Sequence, residues 1–322
     1  MTAPARPAKV AILSRIIRGN PEAVDRVAAA GLEVVCDLAG YDALGADSAA
    51  WQEILDRIDG LVVGLQPVTA RHLATARSLR YIIKIGTGLD NIDLEAARQH
   101  GITVDSLAGL NAPAVAEYAF GLLLAAARRI PEADRSMRSG EWTRFTGRHL
   151  GGRTLGLIGY GEIARLMVPK ARGFGMDVVV ARRSAEPITD EGVRSVSVAE
   201  LLALSDFVSV HVPLTEQTRG LLGAAELAAM RPGAVLVNTA RGAVVDEAAL
   251  YDALVSGHLA AAGLDVWSSE PPTDRKLLEL PTVVASPHNG GYSDLTTRLT
   301  ALTAVDRLIE GVRREAVGTN QK

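Results

Sequence analysis

Arg241, Glu270 and His288 are suited to anion binding and proton transfer, and each follows a short apolar run in the second half of the chain. Arg241 closes Val235-Leu-Val-Asn-Thr-Ala-Arg241-Gly242. A guanidinium at the carboxyl end of a strand can grip a carboxylate or a polarised carbonyl through two parallel N–H bonds. Glu270 lies in Ala262-Gly-Leu-Asp265-Val-Trp-Ser-Ser-Glu270-Pro271-Pro272, and His288 in Val283-Val-Ala-Ser-Pro287-His288-Asn-Gly-Gly291. A histidine so placed can donate or accept a substrate proton near neutral pH. A carboxylate beside it would fix its tautomer and favour its protonated form. Taken singly, each also has a plainer reading: a structural histidine, a loop-capping arginine, a solvated glutamate.

A second group of residues reads as a place for a dinucleotide. Thr154-Leu-Gly-Leu-Ile158 is an apolar strand, Gly159-x-Gly161-x-x-Ala164 a turn, and a helix opens at Glu162 and Ile163. In such a fingerprint Gly159 permits the tight turn, Gly161 lets backbone N–H groups approach a pyrophosphate, and Ala164 allows close helix–strand packing. The strand after that helix ends in Asp or Glu when the ribose 2′-OH of NAD is bound. Here the chain reads Val178-Val-Val-Ala-Arg182-Arg183-Ser184. Cations and a hydroxyl suit a 2′-phosphate, so the expected cofactor is NADP, with NAD as the alternative. His211, in Val208-Ser-Val-His211-Val-Pro213, follows a further apolar run and is expected to line the cofactor crevice. Pro213, Thr239, Ala240 and Gly291 stand near the same strand ends and complete the candidate cofactor contacts. His72, His100, His149 and His258 sit in helical or loop settings and are assigned no role.

The elements needed to position these groups follow from the pattern of apolar runs. Strands are expected at Val10–Ser14, Leu32–Cys36, Gly60–Val63 and Tyr81–Ile85, with helices between them at Pro21–Ala30, Trp51–Ile58, Ala70–Arg77 and Asp93–His100. A long Ala/Leu-rich helix, Ala114–Arg129, is stopped by Pro131. A second strand series then runs through Thr154–Ile158, Asp177–Val180, Phe207–Val210, Ala234–Val237, Gly263–Val266 and Thr282–Ala285, and a final helix covers Asp294–Arg314. This βαβ rhythm predicts an α/β protein of two doubly wound parallel sheets, Rossmann and flavodoxin-like, with the active site in the crevice between them. The expected division is a substrate-binding domain of residues 1–104 plus 290–322 and a dinucleotide-binding domain of residues 105–289.

Bulk properties exclude other classes. At 322 residues the chain has room for about two domains. A net charge of −3 gives no basic field to recruit nucleic acid or an acidic membrane. Cys36 is the only cysteine, which excludes an internal disulfide and a cysteine-rich metal site; no metal is expected. The first residues do not read as a signal peptide, and no run is long enough to span a bilayer. A soluble cytoplasmic protein is the expectation.

The ordered motifs resemble those of the D-isomer-specific 2-hydroxyacid dehydrogenases. They are Lys84-Ile-Gly-Thr-Gly-Leu-Asp-Asn-Ile-Asp93, Asn111-Ala-Pro-Ala-Val-Ala-Glu117, Gly156 to Ala164, Ser205 to Thr215, Asn238-Thr-Ala-Arg-Gly242, Leu264 to Pro271, and Pro287-His288. The resemblance implies that Arg241 binds the substrate carboxylate and keto oxygen, Glu270 pairs with His288, and His288 donates the proton. It places Asp265 opposite the nicotinamide amide and the substrate carboxylate on backbone N–H groups of Gly86, Thr87 and Gly88. It also implies a homodimer through the helix 114–129. The implied reaction is NADPH-dependent reduction of a small 2-oxo acid to a D-2-hydroxy acid. The loop Gly64-Leu-Gln-Pro67 lacks the arginines expected for a substrate phosphate, and the regulatory C-terminal domain of many phosphoglycerate dehydrogenases is not expected within these 322 residues. Glyoxylate or hydroxypyruvate is therefore expected. The alternatives are an NAD-linked phosphoglycerate dehydrogenase-like enzyme and a nucleotide-sensing regulatory protein on the same fold.

Overall fold

Short runs of β-branched and other apolar residues become strands, and those buried on both faces occupy sheet centres. The computed structural model describes residues 6–183, 188 and 190–319. Twelve strands form two wholly parallel sheets among the described residues. The first sheet contains β1 (Lys9–Leu13), β2 (Glu33–Asp37), β3 (Gly60–Val63), β4 (Tyr81–Lys84) and β5 (Thr103–Ser106) in the order β2-β1-β3-β4-β5. The second contains β6 (Thr154–Ile158), β7 (Asp177–Ala181), β8 (Val193–Ser195), β9 (Phe207–Val210), β10 (Ala234–Asn238), β11 (Leu259–Leu264) and β12 (Val283–Ala285). Its order is β12-β11-β10-β9-β6-β7-β8. The first order is flavodoxin-like. The second reverses direction at β6 and β9, the switch point at which doubly wound sheets bind ligands.

The chain divides into two units. One is built from the chain up to Asn111 and from Tyr292 onward, and the other is Ala112–Gly291. The expected boundaries at 104/105 and 289/290 shift for physical reasons. β5 pairs along its length with β4 and keeps residues 103–106 in the first unit. The N–H groups of Asn289 and Gly290 donate to Asp265, which keeps them in the second.

In the first unit, the helix Asp294–Thr319 lies against β3 and β4. Ala301, Ala304, Val305, Leu308 and Val312 share an apolar cluster with Val10, Ile12, Val62, Tyr81 and Ile83. A Cβ on Gly60 would stand 2.7 Å from Val312 Cγ2, so glycine there permits the close approach.

In the second unit, the long apolar helix spans Ala112–Ala127 rather than 114–129. Arg129 takes a left-handed conformation with φ of 56°, and Pro131 sits in the first turn of a second helix, Ile130–Arg138. Proline lacks only a donor that a first turn leaves unpaired, so it starts a helix here. The helix Ala112–Ala127 is apolar around most of its circumference, and most of it is buried within its own unit.

Candidate active site

Arg241, Glu270 and His288 all follow the carboxyl ends of adjacent strands, β10, β11 and β12. The turn that carries Arg241 is built by Asn238, the last residue of β10. Its amide Nδ2 donates to the Arg241 carbonyl at 2.9 Å, and its Oδ1 accepts from Ala240 N at 3.0 Å. The amide side chain supplies both the donor and the acceptor that this turn uses. Arg241 Nη1 donates to the Ala240 carbonyl at 2.8 Å, which orients the guanidinium.

The next residue, Gly242, touches backbone. A Cβ there would stand 2.0 Å from the Trp267 carbonyl carbon. Gly242→Ala must therefore separate the Arg241 turn from the segment leading to Glu270. Overpacking of this kind costs about 1–3 kcal/mol. The expected result is a lower urea midpoint at unchanged slope together with weakened activity; an unaltered midpoint would show that the two segments tolerate separation.

Trp267 joins the other two segments. Its indole Nε1 donates to the Ser286 carbonyl at 3.0 Å, and its backbone N–H to Glu270 Oε1 at 3.2 Å. Glu270 Oε2 then meets His288 Nδ1 at 2.7 Å. Burial pushes the Glu270 carboxyl up, but the His288 bond, the Trp267 N–H and the nearby Arg241 charge together hold it below the usual glutamate range. An ionised carboxylate only accepts, so Nδ1 carries the proton toward Glu270 and Nε2 is the nitrogen left for exchange with a ligand.

His288 has a φ of 52°, a conformation that few non-glycine residues adopt. Asp265 holds it there. The Asp265 carbonyl accepts from His288 N at 2.7 Å, Oδ1 accepts from Ser286 Oγ and Asn289 N, and Oδ2 accepts from Gly290 N. Both carboxylate oxygens thus brace the loop carrying His288, and Oδ2, which accepts one bond from Gly290 N, keeps acceptor capacity. Gly291 follows directly and ends the second unit.

The candidate dinucleotide contacts gather at the carboxyl ends of β6, β7, β9 and β10. Gly159 has a φ of 95°, and a Cβ on it would stand 2.5 Å from the His211 carbonyl oxygen, so the turn packs directly on the end of β9. Gly161 begins the helix Glu162–Gly173 without a side-chain cap, and nothing lies within 4 Å of where its Cβ would be. A helix N-terminus without a side-chain cap suits a phosphate, and the open space at Gly161 leaves room for one to approach. Glu162 is exposed, Ile163 half-buried and Ala164 fully buried. His211 accepts or donates with Ser209 Oγ at 2.9 Å, and burial lowers its pKa to about 4, so it is neutral. Pro213 is exposed, and its carbonyl accepts from Thr218 Oγ1. Thr239 Oγ1 and Arg182 Nε are buried without a hydrogen-bond partner. Buried polar atoms are rarely left so, and these two fit a polar ligand. Arg183 is exposed. Ser184 lies outside the described residues.

Gly86, Thr87 and Gly88 belong to the first unit, in the loop after β4. Gly86 has a φ of 100°, and Thr87 Oγ1 donates to Asn111 Oδ1 at 3.4 Å. Among the described residues there is no group of three or more His, Cys, Asp or Glu placed to hold a metal ion. No described helix is long and apolar enough to cross a membrane.

Sequence reasoning missed Asn238 and Trp267 as builders of the site. Asn238 carried a signal: an amide ending an apolar run just before Arg-Gly.

Residues 120–290 match the family model described as "D-isomer specific 2-hydroxyacid dehydrogenase, NAD binding domain". The chain is 44% identical over 264 residues to the hydroxypyruvate reductase of Thermotoga maritima, covering 80% of this chain and 86% of that one. It is 39% identical over 275 residues to the D-3-phosphoglycerate dehydrogenase of Methanocaldococcus jannaschii, covering 82% of this chain but only 52% of the longer relative. Among solved structures, it is similar to the NADPH-dependent glyoxylate/hydroxypyruvate reductase of Sinorhizobium meliloti in complex with NADP and malonate. That likeness has a TM-score of 0.82 at 30% identity and covers 94% and 93% of the two chains.

Proposed function

We propose, since this chain belongs to the D-isomer specific 2-hydroxyacid dehydrogenase family, that it reduces a small 2-oxo acid of the glyoxylate or hydroxypyruvate class to the D-2-hydroxy acid with NADPH. Its reaction class is that of the NAD(P)-dependent oxidoreductases. The carrying observation is the 2.7 Å His288–Glu270 pair beside Arg241 at the carboxyl ends of one sheet.

The bound nicotinamide supplies the two-electron reduction. Gly159, Gly161, Glu162 and Ile163 would hold its pyrophosphate, with His211, Pro213, Thr239, Ala240 and Gly291 around it. Arg241 binds the substrate carboxylate and the keto oxygen and stabilises the negative charge that develops there. His288 delivers the proton from Nε2 to that oxygen, and Glu270 stabilises the imidazolium. Backbone N–H groups of Gly86, Thr87 and Gly88 are assigned to the carboxylate, and the exposed positions of helix Ala112–Ala127 to a homodimer contact.

Choice of NADPH rests on Arg182, whose buried Nε has no partner, and on exposed Arg183. The relative from Sinorhizobium meliloti, named as NADPH-dependent, supports it. Arg182→Asp is expected to lower the ratio of NADPH to NADH kcat/KM by about tenfold or more, the worth of a hydrogen bond to a charged group. An unchanged ratio would remove Arg182 from cofactor choice.

The phosphoglycerate dehydrogenase relatives favour a second substrate reading. Against it, the Gly64–Pro67 loop folds on itself without arginine: Gln66 Oε1 accepts from Gly64 N at 2.8 Å, and Lys84 Nζ donates to the Gly64 carbonyl. A kinetic panel of glyoxylate, hydroxypyruvate and 3-phosphohydroxypyruvate with both reduced cofactors tests the assignment. Higher kcat/KM for the phosphorylated acid would overturn it, and no turnover with tight NADPH binding would favour a nucleotide sensor.

A further inference from the structure

Six residues beyond Arg241 stands a carboxylate with no part in the chemistry proposed above. Glu247 opens the helix Glu247–Val255, and its Oε1 accepts from Ser268 N at 2.6 Å. Its own backbone is firmly held. Asp246 caps the helix, its Oδ1 accepting from Ala248 N at 3.0 Å and from Ala249 N at 3.1 Å. Asp246 N donates to the Leu222 carbonyl at 3.0 Å, and Val244 and Leu250 on either side are fully buried. The Glu247 carboxylate thus projects from a rigid frame.

Ser268 lies in the stretch that carries Glu270. Trp267 N, one residue earlier, donates to Glu270 Oε1, and Glu270 Oε2 meets His288 Nδ1. A Cβ on Gly242 would stand 2.3 Å from Ser268 N, so the Arg241 turn abuts the same peptide. Glu247 therefore ties the connection after β10 to the loop after β11, next to the residue that bonds Glu270. Ser268 and Ser269 are exposed, so their side chains add little packing to hold that loop. A carboxylate bond to a backbone N–H is charge-assisted and about twice as strong as a neutral one.

We propose that Glu247 is a positioning residue for proton transfer: by holding Ser268 N it sets the Glu270 carboxylate where His288 Nδ1 meets it. The proposal rests on the reaction assigned above. Glu247 has no part in holding substrate or dinucleotide, so its effect falls on kcat.

Three variants separate the bond from the charge. Glu247→Gln keeps an acceptor at the same reach but removes the charge at the helix start. Glu247→Asp keeps the charge and shortens the reach, and Glu247→Ala removes both. Steady-state kinetics of glyoxylate reduction with NADPH are measured for each, with thermal melts alongside. The expected result is a kcat about tenfold lower in Glu247→Asp and Glu247→Ala, within the roughly 10²-fold that a misplacement of about 1 Å can cost. Both KM values should be nearly unchanged, and Glu247→Gln should keep most of the activity. In a Glu270→Ala background, where no carboxylate is left to place, Glu247→Asp should cost little more, because residues of one network are not additive. Wild-type kcat in Glu247→Asp and Glu247→Ala overturns the positioning role. So does a loss in Glu247→Gln with Glu247→Asp intact, which marks a charge effect at the helix start. An equal fold loss with and without Glu270 also overturns it, as general damage to the fold. Wild type that reduces no 2-oxo acid overturns the assigned reaction and the positioning role with it.

Discussion

Replacing His288 by alanine is expected to lower kcat for glyoxylate reduction by about 10²–10⁴-fold, the usual contribution of a positioned acid or base. NADPH affinity, read by fluorescence titration, should be unchanged. His288 is not among the residues proposed to hold the dinucleotide, and its ring is committed through Nδ1 to Glu270. The backbone complicates a plain alanine variant. At a φ of 52° an alanine is strained by about 1–2 kcal/mol, whereas asparagine visits that region readily. His288→Asn therefore separates lost chemistry from a displaced loop: both variants should be equally inactive if proton transfer is the cause. Activity in His288→Asn near the wild-type level would show that the position matters for conformation alone. Glu270→Gln should fall between wild type and His288→Ala, because the amide keeps a hydrogen bond but not the charge that stabilises an imidazolium.

Arg241→Lys is expected to lower kcat/KM by about 10²–10³-fold, the cost of losing one preorganised donor to a developing oxyanion. Lysine keeps the charge but not the planar fork that matches a carboxylate and a carbonyl oxygen together. The native guanidinium is set by its own bond to the Ala240 carbonyl and by the Asn238 amide beneath the turn. A flexible ammonium inherits neither. The loss should appear in substrate KM as well as kcat, with NADPH affinity preserved. Wild-type kcat/KM in Arg241→Lys would show that charge alone suffices and that paired donation is unnecessary.

Much of this arrangement was legible in the chain because central strands announce themselves. Gly60–Val63, Thr154–Ile158 and Phe207–Val210 are read at their observed limits, since each is a mostly apolar run and nearly all of its residues are buried. The strands passed over lie at sheet edges. β5 is Thr-Val-Asp-Ser and β8 is Val-Arg-Ser, and neither needs an apolar run because one flank is open. β11 runs over Leu259–Leu264 and not the expected 263–266, because its Leu-Ala-Ala-Ala-Gly-Leu composition carries little β preference. Pairing with β10 and β12 overrides that local preference. Likewise Arg241, Glu270 and His288 could be picked out as side chains at strand ends. The bonds that orient them could not, because Trp267 to Ser286 and Asp265 to Gly290 span 19 and 25 positions of chain. Such pairings depend on how adjacent strands register, which no local pattern encodes.

The return of the chain to its first unit has a consequence for how the protein is made. Emerging from the ribosome, Val10, Ile12, Val62, Tyr81 and Ile83 lack the helix that covers them, because Asp294–Thr319 is synthesised last among the described elements. The intervening unit, Ala112–Gly291, has all its strands before that helix appears. The nascent chain therefore carries a finished nucleotide domain while its earlier half still exposes one greasy sheet face, the kind of surface that draws chaperones or aggregates.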